Sequence, residues 1–345
     1  MNRENYIAIR KQLNFRSRTL FGIGALLVNI GLACAGVWSL QQDSVILYLL
    51  GTILFALFMH HCYLLMHECS HNSFLPSRTV NVVVGHLAAL GALQPFYAWK
   101  IDHRNHHLWT GHVRKEPATR RGLEMAMAAS KRKSTNVLLK AAWNLWVPIF
   151  AANKHVLLWL IPFQKQDNGH INKTAFVSAL VGLVGYALLA LVPGAAHLMV
   201  RALPALYLYM LAIEVINLPH HLEVEIYDSK RPIPFWEHDR FTKSMAPLPL
   251  NGMLFLHFNY HTEHHFFPSL PWHELPDLHA MVEATKAQSV KLEGDVAWNW
   301  RWRRKSAEVL LKKFVDFLQT SQMEGADNKS NPGFQKMSNL PGAII

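Results

Sequence analysis

The chain has 345 residues, of which 51% are hydrophobic and only 17% charged, where a soluble domain carries about a quarter charged residues. That balance excludes an ordinary soluble enzyme and points to the membrane. A formal net charge of +11 could suit nucleic acid, but the basic residues flank apolar runs instead of forming one soluble face. Anionic lipid headgroups are the better match, and no nucleic-acid partner is expected.

Arg3, Arg10, Lys11, Arg16 and Arg18 precede the first apolar run. Residues 19–40 (TLFGIGALLVNIGLACAGVWSL) carry no charge and reach the roughly 20 residues that cross a bilayer as a helix. The run is too long for a signal peptide, and a second span, 45–66, follows after the turn QQDS. Stretches 79–98 and 143–163 are apolar but interrupted by Gly, Pro, Asn, His and Lys, and read as in-plane or re-entrant helices. Residues 174–193 give a third span. After Pro193-Gly194, residues 196–218 give a fourth, with one acid, Glu214, near its end. The expected fold is therefore all-α and integral to the membrane: four transmembrane helices in two hairpins, with short outer connections near 41–44 and 194–197.

Orientation follows from the basic residues. Segment 99–173 holds Lys100, Arg104, Arg114, Lys115, Arg120, Arg121, Lys131, Arg132 and Lys133, whereas the outer connections have only Arg201 nearby. Residues 67–173 and 219–318 are expected to form a cytoplasmic helical cap, so that 1–318 make one membrane domain. Within the cap, AWNWRWRRK (297–305) leads into a helix with Val309, Leu310, Phe314, Val315 and Leu318 on one side, suited to lying on the membrane surface. The polar residues 319–345 are expected to be a disordered tail. Cys34, Cys62 and Cys69 have neither disulfide nor zinc-knuckle spacing and read as small core residues.

Three histidine boxes stand out: His67-Glu-Cys-Ser-His71, His103-Arg-Asn-His106-His107 and His261-Thr-Glu-His264-His265. Residues three or four apart share a helix face, so each box can aim two or three imidazoles at one point. With 21 histidines, an HxxxH pair arises by chance about once, but an HxxHH triplet in fewer than about one chain in ten. Two such triplets near the same membrane ends are the strong signal. One ion takes four to six ligands, so eight converging histidines suggest two metals. Ligating imidazoles need an acceptor for the other ring nitrogen, and Glu68, Asp102 and Glu263 could serve. Asn217 and His221, four apart where the fourth span emerges, form a further element. His112, His257 and His273 lie near the boxes and could support them. His60, His61, His86, His155, His170 and His279 read as ordinary core histidines.

Imidazole-rich sites suit zinc, copper, iron or nickel. Structural zinc would need only four ligands, usually including cysteine, whereas two irons with open positions can activate dioxygen. A site at the membrane ends of helices is placed to receive alkyl chains. A metal transporter would need polar ligands along the spans, and a bis-histidine haem protein would need facing histidines inside the bilayer; the spans offer neither.

The boxes resemble the HxxxH, HxxHH, HxxHH set of the membrane fatty acid desaturase and hydroxylase superfamily. HECSHNSF is similar to the HECGHxxF of the oleate (delta-12) and omega-3 desaturases, and PFYAWKIDHRNHHLWTG to their P(Y/F)xxWxxxHRxHHxxTG. HTEHHFFP matches their third box, although Thr262-Glu263 is not its usual pair. The resemblance implies two iron ions held by His67, His71, His103, His106, His107, His261, His264 and His265. His221 has the spacing of a ninth ligand found in related acyl-CoA desaturases, with Asn217 holding a water on one iron. It implies a dioxygen-dependent desaturase that introduces a double bond into an acyl chain in the membrane by di-iron C–H abstraction. The alternative is a sister hydroxylase or oxygenase acting on an alkyl, carotenoid or specialised-metabolite substrate. The chain shows no HPGG haem signature, Gly-rich dinucleotide fingerprint or iron–sulfur cysteine run. Electrons are therefore expected from a separate ferredoxin, cytochrome b5 or flavoprotein. The short loops suggest a bacterial inner membrane with the active site cytoplasmic.

Overall fold

The first apolar run forms one uninterrupted helix, Thr19–Leu40, with the bounds expected from its lack of charge. The structure, a computed structural model, describes residues 1–131, 133–164, 170–287, 291–305 and 316, and the named elements among these are all helices, with an isolated bridge between His112 and Tyr227 in the loops. Val309, Leu310, Phe314, Val315, Leu318 and the tail 319–345 lie outside the described residues.

Among the described residues, four helices are long and apolar enough to cross a membrane: Thr19–Leu40, Val45–His71, Lys173–Ala190 and Leu203–His221. Their side chains face outward in the manner of a lipid-solvated surface, with Leu20 80%, Ile46 79% and Leu188 61% exposed. The chain is a multi-pass membrane protein. The first two helices meet through glycines: a Cβ on Gly36 would stand 3.0 Å from the backbone of Phe55, and one on Gly51 would stand 2.5 Å from that of Leu40.

Three departures from the sequence expectation have local causes. The second span continues past the apolar run to His71, where Asn72 takes the left-handed conformation (φ 58°) and ends it. The expected fourth span, 196–218, is split into Ala195–Arg201 and Leu203–His221, because Pro204 has no N–H to carry the ladder across the join. The fourth span then runs through Pro219 to His221. The carbonyl of Val215, which the missing N–H of Pro219 would leave open, accepts instead from Asn299 Nδ2 at 2.7 Å.

The two interrupted stretches are bent helix pairs, Arg78–Gly91 with Phe96–Leu108 at 100° and Val137–Asn144 with Ile149–Phe163 at 111°. The first break is Ala92–Pro95, where Leu93 has φ 54°. One buried charge in this region is held by a dedicated partner. Glu214 receives Arg303 Nη2 at 2.6 Å and the backbone N–H groups of Phe150 and Ala151 at 2.9 and 3.2 Å. Arg303 lies over Trp143 and Trp146, its guanidinium carbon 4.3 and 4.9 Å from their ring centroids. The helix Asp295–Arg303 thus clasps the fourth span, with Trp298 and Trp302 buried and Trp300 exposed. At the opposite end, Arg201 donates to the carbonyls of Leu40 and Gln42, tying the first connection to the start of the fourth span.

Candidate metal centre

The histidine boxes lie at the end of the second apolar helix and on the shorter helices packed around it. His67 and His71 occupy the last two turns of the second span. His103, His106 and His107 sit on Phe96–Leu108, and His261, His264 and His265 on the short helix His261–Phe266. The N-terminal helix Arg3–Arg10 buttresses this last turn, with Tyr6 stacked on Phe267 at 4.4 Å and its hydroxyl on the Phe266 carbonyl at 3.1 Å.

The rings gather into two groups, each with its ligand atoms within 4.8 Å of one another: His67, His71, His103, His107 and His264 in one, and His106, His221, His261 and His265 in the other. All eight box histidines and His221 are brought together. The boxes do not each aim at one point. Each HxxHH helix serves both groups, because a helix turns about 100° per residue and so fans three rings over neighbouring directions. The second box sends His103 and His107 one way and His106 the other, while the third sends His264 one way and His261 and His265 the other.

Nε2 atoms face one another at close range. His71 to His103 is 2.9 Å, His103 to His107 3.0 Å and His107 to His264 3.1 Å; His221 to His261 is 2.8 Å, His261 to His265 3.1 Å and His265 to His106 3.2 Å. Neutral imidazoles carry one N–H each, so such a chain cannot satisfy every member that also donates through Nδ1. Around a metal with N bonds of about 2.1 Å, adjacent donors stand about 3.0 Å apart in octahedral geometry, the spacing seen here. His67 Nε2 is buried with no hydrogen-bond partner among the described residues, its ring 4.6 and 4.5 Å from those of His103 and His264. Burial first, then the neighbouring histidines, hold His261, His264 and His265 well below the ordinary imidazole pKa. They are neutral, the form that binds metal. The residues fit a pair of imidazole-loving ions.

The outer nitrogens are oriented by acceptors. His67 Nδ1 meets Glu68 Oε1 at 3.0 Å, as the box sequence suggested. His265 Nδ1 meets Thr110 Oγ1 at 3.2 Å, a hydroxyl that itself donates to the His106 carbonyl at 2.6 Å. The other two expected acceptors serve elsewhere. Asp102 holds Arg121 through both guanidinium nitrogens at 3.1 and 3.2 Å, and Glu263 accepts from His279 at 2.6 Å and from Ser244. Glu116 takes the remaining role, accepting from His106 Nδ1 at 2.7 Å. Burial would raise its carboxyl pKa, but the bonds from His106 and the Thr119 N–H hold it well below the usual range. Glu116 precedes Pro117 at the start of Pro117–Lys131 and caps that helix through the Ala118 N–H at 3.0 Å, a role the sequence suggests without pointing to His106.

Asn217 lies on the cavity wall beside His221, its amide donating to the Ile213 carbonyl at 2.8 Å and its oxygen accepting from Tyr63 at 3.3 Å. His112 bonds the distant Ser229 carbonyl, and His257 and His273 bond Asn251 and Glu274 close by in sequence. A cavity of about 170 Å³ reaches His103 of the first group and His106, His221 and His261 of the second, with Met125, Phe150, Ile213, Leu222 and Phe258 as its apolar walls.

A family model described as fatty acid desaturase matches residues 44–293, a range that contains all nine histidines. The chain belongs to the fatty acid desaturase family. Among its relatives, a delta-12 fatty acid desaturase of Caenorhabditis elegans is 24% identical over 255 residues, covering 68% of this chain and 66% of that protein. An sn-1 oleoyl-lipid 12-desaturase of Picosynechococcus is 24% identical over 287 residues, 77% of this chain and 76% of that one. An sn-1 acyl-lipid omega-3 desaturase (ferredoxin) of Synechocystis is 33% identical over 106 residues, 29% of this chain and 28% of its own length.

Proposed function

We propose that this chain is a dioxygen-dependent acyl desaturase that converts two adjacent methylenes of a membrane acyl chain into a double bond. The observation that carries the reading is the pair of convergent histidine groups opening onto one largely apolar cavity in a chain of this family. Two iron ions, when bound, supply dioxygen activation and the power to abstract hydrogen from an unactivated C–H bond. His67, His71, His103, His107 and His264 would hold one, and His106, His221, His261 and His265 the other, with Asn217 aiding the second through a water. Glu68, Thr110 and Glu116 fix the ring orientations of His67, His265 and His106. The apolar walls exclude bulk water and present the chain edge-on to the histidines. Dioxygen is reduced to two waters by two electrons from a carrier and two from the acyl chain, with two protons from solvent. The carrier is a separate protein, for which a ferredoxin fits, as printed in the name of the Synechocystis relative.

In the membrane, residues 1–318 would form two hairpins beneath a cap facing the cytoplasm, in a bacterial inner membrane, as the basic 99–173 segment favours. The deciding experiment is expression in a host that makes monounsaturated chains but no dienes, with gas chromatography–mass spectrometry of its fatty acids. A new diene, absent with His106→Ala, is the expected result. An oxygenated product would replace this reading with hydroxylation.

A further inference from the structure

Asp102, Glu116, Arg121, Lys154 and Glu214 are the charged side chains other than histidine lining the cavity. Arg121 grips Asp102, Glu116 takes His106, and Glu214 takes Arg303. Lys154, on the helix Ile149–Leu160, makes no hydrogen bond and no ion pair among the described residues. Asp102 and Glu116 act on it only at longer range. Its ammonium lies 5.9 Å from the ring centroid of Trp99, and that ring stacks on His103 at 4.4 Å. A half-buried cation beside apolar walls is costly unless an oxygen completes its coordination.

A polymethylene chain offers no such oxygen; the carboxyl end of an acyl substrate does. We propose that Lys154 binds the carboxyl-derived oxygen of the substrate, as a carboxylate or as an ester or thioester carbonyl, and so measures the double bond from that end. The inference rests on the acyl-desaturase reading and deepens it, because the relatives include proteins named for position 12 and proteins named omega-3. A chain gripped at its polar end presents the same carbon pair to the histidines whatever its length. A chain stopped at its methyl end presents a pair fixed from that end.

The test supplies acyl chains differing by one carbon to membranes bearing the iron-loaded protein and locates each product bond by mass spectrometry. In the wild type the bond stays at a constant distance from the carboxyl carbon. Lys154→Gln raises KM by about ten- to a hundredfold, the worth of one charge-assisted hydrogen bond, changes kcat much less, and scatters the bond over neighbouring positions. Lys154→Arg restores both. A wild-type bond fixed from the methyl end, or unaltered KM and position in Lys154→Gln, overturns the proposal. Equilibrium binding of stearic acid and of methyl stearate to the purified protein gives a readout without turnover. Weakening of both by Lys154→Gln indicates carbonyl recognition, weakening of the acid alone indicates carboxylate recognition, and no weakening of either refutes the proposal. Absence of unsaturated product from every chain in the wild type would sink the desaturase reading instead, leaving the binding comparison to judge Lys154.

Discussion

At the scale of single residues, the site depends on which groups face the outer nitrogens of the ligands. Glu116→Gln keeps an acceptor for His106 but removes the charge, and outer-sphere changes of this kind cost about ten- to a hundredfold in metal affinity. Competition with a chelator should show that loss of iron retention, with the helical content unchanged. Asp295 makes a different prediction. It is 1% exposed, with Oδ1 lacking a hydrogen-bond partner among the described residues, and burial pushes its carboxyl up to about 7. Between the ordinary carboxylate range and about 7 the unfolded chain releases this proton while the folded chain keeps it, so its contribution to stability falls as pH rises through that window. Thermal unfolding in detergent should show that decline reduced in Asp295→Asn; an unchanged slope would refute the assignment. The six HxxHH histidines were legible from their spacing, since that triplet twice over is rare, whereas His67 and His71 form a commoner pair and His221 entered as a ligand only through the family resemblance. Glu116 was not legible, because the contact between residues ten apart in sequence depends on how the chain turns at Trp109–Gly111.

At the scale of elements, the clasp between Asp295–Arg303 and the fourth span rests on a buried ion pair. Arg303→Met strands the Glu214 carboxylate and should cost about 3–5 kcal/mol, whereas Glu214→Gln with Arg303→Met should recover much of it. Unfolding of both variants in detergent checks this, and equal losses would mean that the pair contributes no coupling. Hydropathy alone located the first span to the residue, because an uncharged run of that length has one way to satisfy its backbone in lipid. It misjudged the fourth, since apolarity passes smoothly over Pro204 while the hydrogen-bond ladder does not. The extension of the second span to His71 was hidden for the opposite reason: the helix outlasts its apolar composition because the histidines pack against other histidines.

For the whole molecule, exposed apolar side chains on the four spans require a lipid solvent, and Cys34 is exposed among them. A membrane-impermeant maleimide should leave Cys34 unmodified in intact membranes and label it after unfolding in detergent. With the native cysteines removed, Asp43→Cys should label from the outer side and Ser229→Cys only after the inner side is opened. Labelling of both from one side would overturn the two-hairpin arrangement. The sequence by itself determined the solvent, the long apolar helices and the three histidine boxes that offer candidate ligands. Each of these follows from composition or from spacing within one helix, and both are local quantities. Only the tertiary structure decided that every HxxHH box is shared between two groups, that Glu116 rather than Asp102 or Glu263 faces His106, and that Lys154 stands in the cavity with no ion pair among the described residues. Those outcomes depend on distances between segments far apart in the chain, which are fixed by packing and not by any periodicity within it.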